Sequence, residues 1–324
     1  MMKRKRIVLF ILFNWSCLMA FAQQRPHYTQ YLQNMGVINP AITGMYKAVT
    51  IKSGFRNQWI GIQDAPKTSY FTVHAPVNLD KSLLTAGSAD YGIEDPGTRS
   101  EKDEYYSSES HHGLGFTALN DKTGSINRST LNLTYAYHIM LDDVFNLSLG
   151  IGGGISRIGL NTDVLIFENQ IDPVIAEGQI INWTPDINTG FYLYSSKFYF
   201  GGSIQQVVKE KLSFNGSYGK GTEVPHYFLT SGFRFWVGED FSFTPSVMMR
   251  VVSPSPVGID LNLKINYRNN FWIGGAYRRK DSFSGLVGFT ISKTLDAGYA
   301  YDQTISSLRT INTGSHEFVL GIKL

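Results

Sequence analysis

The sequence predicts an all-β fold, a transmembrane antiparallel β-barrel of about 14 strands preceded by a cleaved signal peptide. Three observations predict it. Apolar and polar side chains alternate along most of the chain, helical periodicity is almost absent, and the links between the alternating segments are short and long in turn. Alternation is typical of a strand whose two faces meet different environments.

The first residues have the layout of an export signal. Residues 1–22, MMKRKRIVLFILFNWSCLMAFA, start with basic residues, continue with an apolar run and end with Ala-Phe-Ala before Gln23. A membrane anchor would need about 20 apolar residues, and Asn14 interrupts this run. Cys17 is the only cysteine, so we expect an exported mature chain without disulfides.

The positive charge of the chain lies in this signal. The net charge is +3, and residues 1–22 carry four basic residues and no acidic one, so the mature chain has a net charge of −1. Nucleic acid is therefore not an expected partner. One stretch is strongly acidic, since residues 88–110 contain seven acidic residues against Arg99 and Lys102.

Alternating segments fill the rest of the chain. In 258–268, for example, Ile259, Leu261 and Leu263 alternate with Asp260 and Asn262. Each segment is close to the ~9–11 residues that a tilted strand needs to cross a bilayer. The predicted strands, in order, lie near 48–59, 67–77, 111–119, 125–141, 144–160, 184–195, 197–208, 225–237, 241–252, 258–268, 270–280, 282–293, 295–304 and 313–324. Since no linker interrupts them, we expect one barrel domain over 48–324, preceded by a periplasmic lead-in or plug at 23–47.

The links support a barrel rather than a soluble sandwich. Short turns (LDD, SSK, GED, RNN, KTLD) alternate with longer links, as periplasmic turns alternate with outer loops in membrane barrels. The link 78–110 is an exception, because it is long and acidic yet falls on the short-turn side. It is either a periplasmic docking loop or a sign that the first two strands are misassigned.

The two faces of the predicted strands differ in chemistry. Apolar aromatics flank the short turns, as at Phe235 and Phe241, which is typical of an interfacial girdle. The polar face carries Arg250, Lys264, Arg268 and Arg278 together with glycines. Charged groups need water or partners there. We therefore expect the apolar face to meet lipid and the polar face to line a wet or plugged lumen. The glycines of 150–154 either fit a crowded lumen or bend the sheet.

No residue pattern points to catalysis. His316-Glu317 begins like a zinc-protease motif, but position 320 is Leu rather than His. His111-His112 has no accompanying carboxylates, and no G-x-S-x-G motif is present. The sequence predicts no catalytic, cofactor-binding or metal residues, no cofactor, no small-molecule substrate and no enzyme activity.

Two polar clusters stand out from this background. The first is HYTQYLQNMGVINPAITG (27–44), in which Pro40 moves Asn39 out of the helical region and Gly44 provides a turn. The second is FRNQWIGIQDAPKTSY (55–70), in which Arg56 and Gln58 lie on the opposite face from Phe55. These groups either satisfy one another inside the protein or contact a partner.

Both clusters, and the end of the chain, resemble a known family. The segments YTQYLQN, INPAITG, FRNQWIGIQDAPKTSYFTVHAPV and YAYDQTISSLRTINTGSHEFVLGIKL are similar to the two ends of the PorP/SprF family of the type IX secretion system. The middle of the chain fits the family in strand pattern and length. The residues that carry the resemblance, and that it marks as possible partner contacts, are Tyr31, Asn39, Pro40, Gly44, Arg56, Gln58, Trp59, Tyr301, Asp302, His316 and Glu317.

The resemblance implies a non-enzymatic barrel in the cell outer membrane. Such a barrel works with the type IX secretion machinery to receive, secrete or anchor a large cell-surface protein, in some cases a gliding adhesin, by the C-terminal domain of that protein. Its expected partners are that machinery, the cargo and outer-membrane lipid. The alternative is a general diffusion porin, favoured by the basic, glycine-rich lumen face; an outer-membrane hydrolase and an exported soluble sandwich are further readings.

Overall fold

A computed structural model describes residues 26–46, 48–77, 107–161, 179–208, 211–213, 220–238, 240–268, 270–292 and 294–324. The predicted signal peptide and most of the acidic link 78–110 lie outside the described residues. Within the described part, no helix is both long enough and apolar enough to cross a membrane.

The described chain is almost entirely strand. The strands are β1 (Thr50–Asn57), β2 (Lys67–Val77), β3 (His111–Thr123), β4 (Ile126–Met140), β5 (Asn146–Asn161), β6 (Gln179–Tyr194), β7 (Phe198–Gln205), β8 (Lys211–Ser213), β9 (Lys220–Thr222), β10 (His226–Phe233), β11 (Phe235–Val237), β12 (Phe241–Val252), β13 (Gly258–Tyr267), β14 (Phe271–Arg278), β15 (Ser282–Ser292), β16 (Leu295–Thr304) and β17 (Ser315–Lys323).

These strands form one closed antiparallel barrel. β8 and β9 pair only with each other, and β10 and β11 are consecutive parts of one barrel strand that pairs with β12. The barrel therefore has fourteen strands, and the pairing of β1 with β17 closes it. The predicted antiparallel barrel and its strand number are confirmed, and the first two strands lie where the sequence placed them.

The two ends of the barrel differ. At the terminal end, where β1 starts and β17 finishes, β4–β5, β6–β7, β11–β12, β13–β14 and β15–β16 are joined by turns of a few residues. The opposite, loop end carries the links 58–66, 206–225, 253–257 and 305–314. The alternation is less strict than the sequence predicted, because β3–β4 and β14–β15 are also joined by tight turns at the loop end.

The orientation of the strand faces agrees with the prediction. Leu261 and Leu263 point outward and remain 49% and 43% exposed, whereas Asp260 and Asn262 between them are buried in the interior. An apolar exterior around a polar interior is the pattern of a barrel in lipid. Arg268, predicted for the lumen, instead lies in the β13–β14 turn with φ +49° and pairs with Asp240 at the terminal end.

Aromatic side chains cluster at the terminal end on the outer face. The ring pairs Phe235–Phe243, Phe241–Tyr267 and Phe271–Phe289 have centroids 5.0–5.5 Å apart and lie beside the short turns. Their position on neighbouring strands corresponds to an interfacial aromatic belt.

The interior of the barrel contains its own chain. Residues 26–46, which we call the lumen segment, form three short 3-10 helices, Tyr31–Gln33, Met35–Val37 and Pro40–Ile42. The apolar side chains of the segment are the centre of the buried core, with Tyr31, Ala41 and Ile42 at 1% exposure or less. The segment starts near the loop end, beside Arg56, and finishes near the terminal end, where β1 begins.

Candidate functional site

A cluster of buried charges holds the start of the lumen segment. The Arg56 guanidinium donates from Nη2 to Asp302 Oδ2 at 2.6 Å and from Nη1 to Glu317 Oε2 at 3.0 Å. Thr29 Oγ1 of the lumen segment donates to Asp302 Oδ2 at 2.7 Å and accepts from Arg56 Nη1 at 3.0 Å. We call Thr29, Arg56, Asp302 and Glu317 the loop-end anchor; all four side chains are buried.

The lumen segment also supplies backbone donors to this anchor. Glu317 accepts from the backbone N–H of Thr29 at 2.8 Å and of Gln30 at 3.1 Å. The Gln30 side chain donates to the backbone carbonyl of Glu317 at 2.9 Å. Burying an ion is costly unless its remaining hydrogen-bonding capacity is satisfied. The donors of the lumen segment supply part of the hydrogen bonding that the buried Glu317 carboxylate needs.

The closing seam of the barrel brings the anchor together. Arg56 on β1 is directly opposite Glu317 on β17, and Asp302 on β16 is opposite Ser315 on β17. Inward-facing positions on neighbouring strands lie side by side on the same face of the sheet. Two residues that are 261 positions apart in the sequence thereby become neighbours.

Polar side chains of the wall satisfy the backbone of the middle part of the lumen segment. Hydroxyl or amide groups donate to carbonyl oxygens of the segment, at 2.7–2.8 Å, from Ser148 to Ala41, from Ser203 to Ile38 and from Gln205 to Val37. A segment without regular strand pairing needs such partners, because an unpaired buried carbonyl costs about as much as a lost hydrogen bond. The wall therefore specifies one path of the chain through the lumen.

Asn39 and the glycines around it fix the sharpest part of this path. The Asn39 carboxamide oxygen accepts from Ala41 N at 3.0 Å, and its Nδ2 donates to Phe191 O at 2.9 Å. A Cβ at Gly190 would meet Asn39 Oδ1, and a Cβ at Gly150 would meet the backbone of Ala41. Inward-facing glycines of β5 and β6 thus leave room for the lumen segment.

Three histidines hold the end of the lumen segment near the terminal end. His138 Nε2 donates to Thr43 O at 2.9 Å, and His111 Nε2 donates to Gly44 O at 3.0 Å. His74 Nδ1 accepts from Gly44 N at 3.3 Å. Gly44 has φ +78° and lies against Gly113 of β3, so the close approach of the two backbones requires glycine at both positions.

The predicted site residues separate into three groups. Tyr31, Asn39, Pro40, Gly44, Arg56, Asp302 and Glu317 belong to the lumen segment or to the wall around it; Tyr31 Oη accepts from Asn262 Nδ2 at 3.1 Å, and Pro40 starts a 3-10 helix. All seven are buried. Tyr301 and His316 lie side by side on the outer face near the loop end, with ring centroids 5.2 Å apart. Gln58 and Trp59 line a cavity at the loop end.

This cavity, the loop-end vestibule, lies where the lumen segment begins and has a volume of about 850 Å³. His27 forms part of its floor, and the turn between β14 and β15 forms part of its rim. Its lining is rich in cationic and apolar side chains: Pro26, His27, Gln58, Trp59, Pro66, Asp121, Thr123, Arg250, Pro256, Val257, Gly258, Arg278, Arg279, Lys280 and Asp281.

Sequence reasoning missed several residues that hold the lumen segment. Thr29 gave no signal, because a single threonine in a polar stretch has many possible roles. His138 and His74 lie at inward-facing positions of strands that the sequence predicts. A histidine at such a position can hydrogen-bond to groups inside the barrel, so these two residues could have been recognised. Gly113 could not be recognised, since its role depends on contact with Gly44 from a distant part of the chain.

Comparison with known proteins assigns the chain to a family. The family model of the type IX secretion system membrane protein PorP/SprF matches residues 20–322. The chain belongs to the PorP/SprF family. The predicted resemblance is therefore confirmed, and it extends over the whole barrel rather than the two ends alone. The chain matches none of the curated proteins.

Among solved structures, this PorP/SprF chain is similar in fold to bacterial barrels. The Ralstonia pickettii toluene transporter TbuX is 12% identical, with 90% of this chain and 92% of that chain covered and a TM-score of 0.49. The Acinetobacter baumannii outer membrane protein Omp33 is 6% identical, with 87% and 100% covered and a TM-score of 0.46. A Pseudomonas aeruginosa FadL homologue is 11% identical, with 94% and 95% covered and a TM-score of 0.45. These likenesses have no bearing on function.

Proposed function

We propose that this chain is a non-enzymatic barrel of the outer membrane that works with the type IX secretion machinery. In this role it receives, secretes or anchors a large cell-surface protein by the C-terminal domain of that protein. The family match over residues 20–322 carries the proposal, because it includes both the lumen segment and the strands that hold it. A gliding adhesin is one candidate for the cargo.

The filled lumen favours a scaffold over a porin. Residues 26–46 occupy the interior with buried aromatic and aliphatic side chains and are hydrogen-bonded to the wall at both ends and in the middle. A diffusion porin needs a water-filled path, which polar side chains line in known membrane barrels. The lumen segment occupies the space that such a path would need.

The orientation we propose places the terminal end in the periplasm and the loop end at the cell surface. Short turns at one end and longer links at the other are the pattern of bacterial outer-membrane barrels. In this orientation the vestibule opens toward the outside, where a surface protein is held. In the same orientation β2 ends and β3 starts on the periplasmic side, where β1 starts and β17 ends.

Deletion of the gene tests the proposed role. We expect loss of at least one large surface protein from the cell surface, measured by surface proteomics of intact cells, and recovery when the wild-type gene is restored. The matched control is deletion of an unrelated outer-membrane barrel of the same cell. Unchanged surface display of every cargo would refute the role.

Conductance separates the scaffold from the porin. We expect purified mature protein in planar bilayers to show no steady open pore, and a variant lacking residues 26–46 to conduct, provided that it folds. Steady conductance of the wild-type protein, at the level of the deletion variant, would favour the porin instead.

A further inference from the structure

Cationic side chains line the loop-end vestibule. Among the described residues, the side chains of Arg250, Arg279 and Lys280 make no ion pair. The fourth cation of the lining, Arg278, is different, because its Nε donates to Asp260 at 3.1 Å and its Nη1 lies 3.4 Å from Asp281. Three positive charges are therefore available to a ligand.

The acidic residues of the lining offset only part of this charge. Asp281 is engaged with Arg278. Asp121 accepts hydrogen bonds from Thr68 Oγ1 at 2.6 Å and Thr123 Oγ1 at 3.2 Å and is the remaining carboxylate of the lining. Burial and the nearby guanidiniums, first that of Arg250 and then that of Arg278, hold the pKa of His27 well below its usual value. The vestibule therefore presents a net positive field.

Arg250 is placed for this role by its neighbour on the next strand. Its register partner on β13 is Gly258, and a Cβ at that position would lie 3.0 Å from Arg250 Nη2. The guanidinium thus lies across the bare backbone of Gly258, at the lining of the cavity. Its planar donors are suited to a carboxylate, which an arginine can bind with two parallel hydrogen bonds.

The remaining lining indicates what kind of anion fits. Trp59, Pro256 and Val257 provide apolar surface beside the cations, and Val257 is 41% exposed. A volume of about 850 Å³ is large for an inorganic ion and is in the range of pockets that bind larger ligands. The cavity lies at the end of the lumen, inside the wall, where a headgroup anchored in the surrounding bilayer does not reach. A peptide combines carboxylates with apolar side chains.

We propose that the loop-end vestibule binds a peptide segment that carries carboxylates. Arg250, Arg279 and Lys280 bind these carboxylates. Trp59, Pro256 and Val257 contact the apolar side chains of the same segment. The inference rests on the proposed function in one respect, since it names the part of the barrel that holds the cargo. The chemistry itself, cations beside apolar surface in a cavity, is independent of the secretion pathway.

Fluorescence anisotropy on the full mature protein in detergent tests the site. The probe is a labelled six-residue peptide in which aspartates alternate with valine and leucine and the C-terminus is free. The control peptide has asparagines in place of the aspartates and an amidated C-terminus. We expect binding of the acidic probe, weakened by added salt because the contacts are charged, and much weaker binding of the control peptide.

Substitutions locate the site. Arg250→Gln is expected to raise the Kd of the acidic peptide about tenfold, the loss of one hydrogen-bonded charge contact, and the double variant Arg279→Gln/Lys280→Gln by at least as much. The matched control is Arg268→Gln, an arginine at the terminal end that is far from the vestibule, which should leave the Kd unchanged. The side chains of Arg279 and Lys280 are exposed, so the double variant is expected to fold. It therefore keeps the test decisive if Arg250→Gln does not fold.

Three results would overturn the proposal. Equal binding of the two peptides, or a Kd that none of the vestibule substitutions changes, would show that the vestibule is not a carboxylate site. If inorganic phosphate binds, and binds more weakly to Arg250→Gln, but the peptide does not bind, the site is one for small anions and the peptide proposal is wrong.

Cells separate this inference from the proposed function. If deletion of the gene removes a surface cargo and the triple substitution of Arg250, Arg279 and Lys280 to Gln does not, the role stands and the vestibule inference fails. If deletion removes no cargo, the role fails, and the peptide measurement still decides the vestibule.

Discussion

Removal of one hydroxyl group from the loop-end anchor should release the lumen segment without damaging the wall. Thr29→Val keeps the shape of the side chain but removes the hydrogen bonds to Asp302 and Arg56. The wall charges Arg56, Asp302 and Glu317 remain paired with one another. The substitution therefore acts on docking of the lumen segment rather than on the strands.

The expected magnitude follows from the charge of the two partners. A hydrogen bond to a charged group contributes about 1.5–3 kcal/mol, and both partners are buried, where water does not replace the lost contact. Since the two bonds share one hydroxyl, we expect their loss to reduce the docking free energy of the segment by about 3 kcal/mol in total. This corresponds to a rise on the order of 100-fold in the population of the undocked segment.

Hydrogen exchange measures this population. In detergent or nanodiscs, the backbone amides of Thr29 and Gln30, which donate to Glu317, should exchange on the order of 100-fold faster in Thr29→Val. The matched control is Thr123→Val, in which the lost hydroxyl also donates to a carboxylate, that of Asp121, but at an exposed position. An exchange rate within about threefold of wild type, or the same acceleration in the control, would refute the reasoning that the anchor holds the segment.

Three further substitutions test other parts of the molecule. Gly113→Ala places a Cβ against the carbonyl of Thr43, and faster exchange over 43–46 is expected. Asn39→Leu keeps the size of the side chain but leaves Phe191 O without its donor, which should cost about 1–3 kcal/mol of docking free energy by the same measurement. Leu263→Arg puts a charge on the outer face near the middle of β13, and should lower the unfolding free energy in liposomes by about 2–4 kcal/mol, measured by denaturant titration.

Each of these has its own control and its own contrary result. Gly285→Ala, where a Cβ meets no atom within 4 Å, should leave exchange over 43–46 unchanged, and equal effects at both glycines would count against the close-approach argument. Protection unchanged in Asn39→Leu would show that the amide bonds do not stabilise the segment. Leu263→Met should fold as wild type does, and an equally stable Leu263→Arg would mean that this face does not meet lipid.

The strands were predictable because their two faces meet opposite environments. In β13 the contrast between Leu261 and Asn262 repeats along ten residues, and a period of two admits no other regular structure. Arg268 followed the same alternation in the sequence, but the backbone turns at that residue and carries the side chain out of the lumen. Alternation therefore predicts the direction of a side chain only within the strand and not in the turn that follows it.

The contacts inside the lumen were not predictable from that period. The sequence marked Arg56, Asp302 and Glu317 individually, yet they meet only in one register of β17 against β1 and β16. Alternation does not determine that register, because any shift by an even number of residues keeps the same side chains facing inward. Thr29 and Gly113 were missed for the same reason, since each acts on a partner from another part of the chain. The sequence therefore identifies most residues of the loop-end anchor, but their arrangement depends on the strand pairing of the closed barrel.

The location of the anchor links the lumen segment to closure of the barrel. Arg56 lies on the first strand, and Glu317 and Asp302 lie on the last two, so the anchor spans the seam where the first and last strands pair. That pairing joins residues 261 positions apart and places both carboxylates within ion-pair distance of Arg56. The backbone donors of Thr29 and Gln30 reach Glu317 only when the segment is inside. In a barrel that closed without the segment, water would have to replace these fixed donors at Glu317, so the seam would lose two hydrogen bonds to a charged group. Occupancy of the lumen and closure of the wall therefore stabilise each other through the same four side chains.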